Sequence, residues 1–249
     1  MVHSIALALA LSFAVNAQTA GATGIVGDDY RSRYPLSNTQ EKLVDNRGLG
    51  FEALTGTRNF RAVLNGVYYR GGANNAFMKP KPRLNTNPLP NHGLENLCEE
   101  GFGRAVYLYS KNYHTAPSSI RCRTRSGEEN HLSYLQISAL SYEKSDQRKL
   151  IEMIFEHVRN PRLGPIYDHC WNGWHASGFV AAITLRQFCG FSAEEAVRYW
   201  NLNTDGANKG KGYDRVRAQI RQFTPYADMA LSATERQALC PSSSNFTFP

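Results

Sequence analysis

His169-Cys170 is followed by Gly173 and then by Ser177-Gly178, all within the stretch Tyr167–Gly178. An apolar approach, Leu163 to Tyr167, leads into it. Beyond it Phe179, Val180, Ala182, Ile183, Leu185 and Phe188 recur at helical spacing. The pattern predicts strand, tight loop and helix, with a cysteine at the mouth of the loop. Such a loop binds anions. The N–H groups of a first helical turn have no intrahelical partner, and the positive end of the helix dipole lies beside them. The same field stabilises a negative sulfur. A thiolate facing a bound oxyanion is placed for covalent group transfer. The expected nucleophile is Cys170. The expected cradle is the backbone of Trp171, Asn172, Gly173, Trp174, His175, Ala176 and Ser177.

These residues resemble the signature loop of the cysteine-dependent protein tyrosine and dual-specificity phosphatases, His-Cys-x-x-Gly-x-x-Arg-Ser/Thr. A second stretch strengthens the resemblance. Asn59-Phe60-Arg61, followed by Gly66-x-Tyr68-x-Arg70-Gly71-Gly72, is similar to the opening hairpin of small members of that family. The likeness spans roughly residues 55–225. It implies an α/β, phosphotyrosine phosphatase-like fold with a central, mainly parallel sheet flanked by helices. By the same resemblance His169 steadies the loop from beneath. Ser177 hydrogen-bonds the sulfur and helps it leave. An acid comes from the loop before a helix, where Glu143 and Asp146 stand; Asp146 also suits a first helical turn.

The chain departs from the family at Ala176, where an arginine belongs. That arginine grips two phosphate oxygens as a planar fork. By analogy with an arginine finger, its loss costs about 10³–10⁵ in rate. His175 is the nearest substitute, but it is shorter and mostly neutral at pH 7. Trp171 and Trp174 narrow the pocket or stack on a flat ligand. Two readings follow. In one the anion site persists, catalysis is impaired, and a phosphorylated or otherwise anionic ligand or protein is bound. In the other a cation from another element restores a phosphomonoesterase.

No metal or other cofactor is expected. His157, His169, Cys170 and His175 are available, but adjacent His-Cys side chains diverge, and no Cys-x-x-Cys or His-Glu-x-x-His occurs. Specific nucleic-acid binding has only the net charge of +7 behind it.

The positioning elements can be read along the chain. Asn65-Gly66 between short apolar runs predicts a hairpin. Leu94, Leu97 and Cys98 lie at helical spacing before Gly101-Phe102-Gly103, and Ala105–Tyr109 reads as a buried strand. Tyr113–Asn130 reads as a polar surface excursion fastened by Cys122. Leu132–Ile137 is another strand. A helix capped by Ser145 carries Leu150, Ile151, Ile154, Phe155 and Val158 on one face. Ser192 and Tyr213 open two more helices, with Arg215, Arg217 and Arg221 as a solvated face. Gly21–Gln40 shows no periodicity and reads as an extended arm.

Ile5–Val15 is an apolar run of leader length, and Val15-Asn16-Ala17 is a small-residue exit. The organisation expected is a signal peptide at 1–17, an extended lead-in at 18–54, one phosphatase-like domain at 55–240 and a loose tail at 241–249. No transmembrane segment is expected, and export to a periplasmic or extracellular space is. In an oxidising compartment four of the five cysteines can pair. Nearness in sequence favours Cys98–Cys122 and Cys189–Cys240, leaving Cys170 free.

Overall fold

The computed structural model describes residues 26–73, 88–111, 113–140 and 144–241. The expected leader, Glu143 and the tail after Pro241 lie outside them.

Six strands form a single sheet in the spatial order β1-β2-β6-β3-β5-β4. They are β1 (Thr57–Leu64), β2 (Tyr68–Ala73), β3 (Arg104–Tyr107), β4 (Ser119–Arg123), β5 (Glu129–Gln136) and β6 (Ile166–Cys170). The four inner strands β2, β6, β3 and β5 run parallel to their neighbours, and β1 and β4 close the two edges antiparallel. The expected α/β, mainly parallel class is therefore what the chain adopts.

Alternation along each strand sorts the side chains onto two faces. On one face Tyr68, Val106 and Ile166 join a core with α3 (Lys144–Arg159), α4 (Ala176–Cys189), α5 (Ala193–Leu202) and α6 (Lys211–Gln222). On the other, Tyr69, Tyr107 and Tyr167 meet α1 (Val26–Arg33) and α2 (Asn91–Glu99) through Tyr30, Leu94 and Leu97. β6 is central and carries both sets. Ile166 and Cys170 belong to the α4 side, and Tyr167 to the α1 side. Buried on both faces, α4 is apolar nearly all round, as a helix packed between sheet and helices must be.

Three features differ from the expectations. Residues 26–33 are helical, not extended: Tyr30 and Tyr34, four apart, are both buried, and the Tyr34 hydroxyl donates to the buried Glu100 carboxylate at 2.5 Å. Arg33 and Arg125 pair with the same carboxylate. Two tyrosines make too short a stripe to register as a period. The excursion at 113–130 contains β4, whose two exposed positions are the arginines Arg121 and Arg123, which hide it. Finally, Arg217 lies over the Trp200 ring and bonds Asn201 and the Asn208 carbonyl, so it packs against the protein.

Both disulfides pair as expected: Cys98 with Cys122 and Cys189 with Cys240. The first ties α2 to edge strand β4. The second ties the end of α4 to the residue after α7 (Ala233–Leu239). Their sequence separations are 24 and 51 residues. Loop-closure entropy then sets the expected losses on replacing each pair by alanine: about 3.5 kcal/mol for the first and about 4 kcal/mol for the second. Urea midpoints at constant slope measure both, and the order of the two losses checks the assignment.

Candidate functional site

The loop Trp171–His175 joins β6 to α4 and crosses β2 at very short range. A Cβ at Gly72 would lie 2.6 Å from the carbonyl carbon of Asn172, and one at Gly173 would lie 2.6 Å from that of Gly71. Gly173 also has φ of +72°. Only glycine tolerates both conditions. The Gly-Gly pair that closes the hairpin motif is thus the floor on which the loop rests.

Four of the loop's five carbonyls, those of Trp171, Asn172, Gly173 and His175, are taken by donors. Ala73 N–H donates to Trp171 O at 3.2 Å. Asn59 Nδ2 donates to Asn172 O and Gly173 O, both at 3.1 Å. Arg70 Nη1 donates to Gly173 O at 2.8 Å, and Trp200 Nε1 donates to His175 O at 3.1 Å. In a trans peptide the next residue's N–H is opposed to the carbonyl. Holding the carbonyls therefore turns the N–H groups of Trp174 and Ala176 away from these donors. This is how a peptide nest is set.

Cys170 is the one unpaired cysteine and is 5% exposed. Its sulfur lies 3.6 Å from the Ser177 hydroxyl, as the family resemblance implies. His169 is fully buried beneath the loop. Its Nε2 meets the Tyr134 hydroxyl at 2.8 Å, and its ring stacks on Tyr107, Tyr134 and Tyr167. Burial pulls its pKa down to about 3, so it is a neutral brace.

Below the loop is a buried polar cluster. Arg70 also donates to the Tyr199 hydroxyl at 3.0 Å and approaches Ser177 Oγ at 3.5 Å. Tyr68 donates to Asp168, whose carboxyl is pushed well above its usual range by burial, against the hydrogen bond from Tyr68 and the charge of Arg70. Arg58 is also buried. Burial lowers its guanidinium to about 10, with the charge of Cys170 foremost among the groups that oppose the change.

Trp174 and His175 are both bonded to the 205–207 segment. Trp174 Nε1 donates to Asp205 Oδ2 at 3.0 Å. Lys42 and Asn46 also bond Asp205; against the opposing effect of burial they hold its carboxyl below the usual range. His175 bonds the Ala207 carbonyl through Nε2 and stacks on Tyr213 at 4.5 Å. Burial lowers its pKa, with the Ala207 carbonyl opposing. Its imidazole is neutral and engaged, so it does not stand in for the arginine.

Above Cys170 is a cleft of about 400 Å³. Tyr109, Leu140, Trp171, Asn172, Ala176, Tyr213 and Val216 are among its lining residues. No Lys, Arg, Asp or Glu among the described residues lines it. Asp146 sits in the first turn of α3 and is not part of that lining. Among the described residues no group of three or more His, Cys, Asp or Glu could hold a metal.

Asn59, Arg58, Arg70 and Asp205 were not assigned roles from sequence. The first three stand in or beside the hairpin motif, which was the signal for them. Asp205 had none. Among the described residues no guanidinium lines the cleft beside the thiol.

No protein-family model and no curated protein matches the chain. Solved structures do. The core catalytic domain of the PP-IP phosphatase SIW14 from S. cerevisiae is similar at 14% identity, covering 67% of this chain and 86% of that one, with a TM-score of 0.44. TpbA from P. aeruginosa is 16% identical over 69% and 85%, with a TM-score of 0.40. PTPMT1, solved with PI(5)P, is 13% identical over 65% and 96%, with a TM-score of 0.37. The chain itself shows an α/β fold with a mainly parallel six-stranded sheet flanked by helices.

Asn59 has φ of +49°, and two loop carbonyls depend on its amide. Asn59→Ala is expected to lose about 2–3 kcal/mol of stability. Alkylation of native Cys170 by iodoacetamide should accelerate in the same variant. An unchanged rate would mean that the loop does not depend on Asn59.

His169 and His157 share an acid lability. Burial lowers His157 to about 4, against its bond to the Gly164 carbonyl. Both folded values lie below the unfolded value of about 6.5. The folded chain therefore binds fewer protons, and stability rises with pH between them. It is complete above about pH 6.5 and is lost as pH falls toward 4 and 3. Urea midpoints across that window should fall with acid, and less steeply in His157→Gln.

Proposed function

We propose that this chain is a divergent cysteine phosphatase-like protein that keeps the oxyanion cradle and has lost most phosphoryl transfer. The observation that supports this best is the uncharged lining of the cleft over Cys170, with Ala176 where a guanidinium would stand. A dianionic transition state needs fixed positive charge at its equatorial oxygens. A helix terminus supplies roughly half an elementary charge. His175 adds none, because its ring is neutral and bonded to Ala207. Asp205, held ionised by Lys42 and Asn46, is no acid for a leaving group.

The roles that remain are these. Cys170 faces the bound anion, Ser177 bonds its sulfur, and the amides from Trp171 to Ser177 hold the oxygens. Asp146 is the acid of the family pattern only if the loop before α3 brings it to the cleft. An active phosphomonoesterase is the second reading, favoured by one observation: the charge of Arg58 is within the field of Cys170. Export is part of the first reading. Two disulfides suit an oxidising compartment, and no described helix is long and apolar enough to cross a membrane.

Hydrolysis of an aryl phosphate separates the readings. Wild type should be slow, and Ala176→Arg should raise kcat/KM by about 10³ or more. Cys170→Ser in that background should abolish the gain. Efficient wild-type turnover that depends on Cys170 and on Arg58 would establish the second reading instead.

A further inference from the structure

The walls of the cleft say more about its occupant than the cradle does. Trp171 and Tyr109 stack with centroids 5.5 Å apart and an interplanar angle of 23°. Each is 38% exposed, whereas most other large aromatics among the described residues are buried or half-buried. Together they form an aromatic flank beside the thiol. Leu140, Val216 and Tyr213 continue the apolar lining, and the deepest members are Cys170 and Ala176. Indole and phenol faces of this kind hold flat rings by stacking.

Charge sets the other half of the specificity. The amides and helix terminus favour an anion, but they amount to roughly half a positive charge. Desolvation cost grows with the square of the charge, so a dianion loses about four times what a monoanion loses on entering apolar surroundings. Arg70, beneath the loop, is fully buried and engaged by Gly173 O, Tyr199 and Ser177. Arg58 is buried as well. Neither lines the cleft. A single negative charge matches what the cradle supplies; two do not.

We infer that the cleft takes an aromatic oxyanion of single charge, an aryl sulfate or aryl carboxylate, in preference to a dianionic aryl phosphate. This rests on the reading of the loop as a cradle without its arginine. The aromatic flank, Trp171 and Tyr109, holds the ring. The amides from Trp171 to Ser177 hold the oxygens.

Calorimetric titration of the purified protein tests it with phenyl sulfate, phenyl phosphate and inorganic sulfate. At about pH 8 phenyl phosphate is a dianion, and phenyl sulfate should bind at least about tenfold more tightly. It should exceed inorganic sulfate by a similar factor. Near pH 5 phenyl phosphate becomes a monoanion, and its affinity should rise toward that of phenyl sulfate. The protein's own groups at the cleft are Cys170, His175, Tyr109 and Tyr213, with Arg58, Arg70 and Asp168 beneath and Asp205 behind Trp174. Phenyl sulfate, whose charge does not change, reports their titration and corrects for it. Trp171→Ala should weaken phenyl sulfate about tenfold and leave inorganic sulfate unaltered. Ala176→Arg should reverse the preference toward phosphate.

Equal or tighter binding of phenyl phosphate at about pH 8 overturns the inference, as does no binding of either ester or no effect of Trp171→Ala. Rapid Cys170-dependent hydrolysis of phenyl phosphate overturns a different claim, that phosphoryl transfer is lost. The two failures are read in different experiments.

Discussion

Five donors hold down the carbonyls of one short loop, and the candidate site exists because they do. Ala73, Asn59, Arg70, Trp200 and the helical amide of Phe179 each take a carbonyl between Trp171 and His175. They come from β1, β2, α4 and α5, so the loop's shape is fixed only when sheet and helices have assembled around it. The anion-facing side of the loop is the complement of these bonds. An isolated peptide of the same sequence would have no reason to present it.

The rest of the fold serves that geometry. Alternation in β6 puts Cys170 toward α4 and His169 toward the stacked tyrosines of the opposite core. The buried pair Tyr68 and Asp168 lies next to Arg70, which is in register with Asp168 across the β2–β6 ladder. A buried guanidinium is costly unless its hydrogen bonds are made. Arg70 makes them to Tyr199 through Nε and to the loop through Nη1, while its buried Nη2 finds no partner among the described residues. Arg70 is thus engaged beneath the loop, and Ala176 lies among the lining of the cleft, which holds no Lys, Arg, Asp or Glu among the described residues.

Much of this was legible in the sequence because local signals and long-range demands agreed. His169-Cys170, Gly173 and Ser177 marked the strand, loop and helix, apolar runs and helical spacing marked most other elements, and the family resemblance implied the mainly parallel sheet. The pairing of the four remaining cysteines followed from their nearness. What escaped notice had no period to betray it. Tyr30 and Tyr34 bury a short polar helix by two side chains alone. Edge strand β4 carries arginines on its open side. Asn59 adopts a left-handed backbone conformation inside a strand, which no propensity foretells. Asp205 reaches Trp174 from 31 residues away and had no motif around it. Asp146 matched a pattern of order along the chain, but helix α3 keeps it in its own first turn and outside the cleft lining.

An odd number of thiols makes assembly a contest between bridges. While the chain is unfolded, Cys170 can attack or join any half-cystine, since exchange needs only an accessible sulfur. Docking of α4 onto β6 withdraws it under Ala176 and Ser177. Native cross-linking is consequently protected by the core that forms around the loop, and the site's sulfur is kept from its four relatives by burial alone.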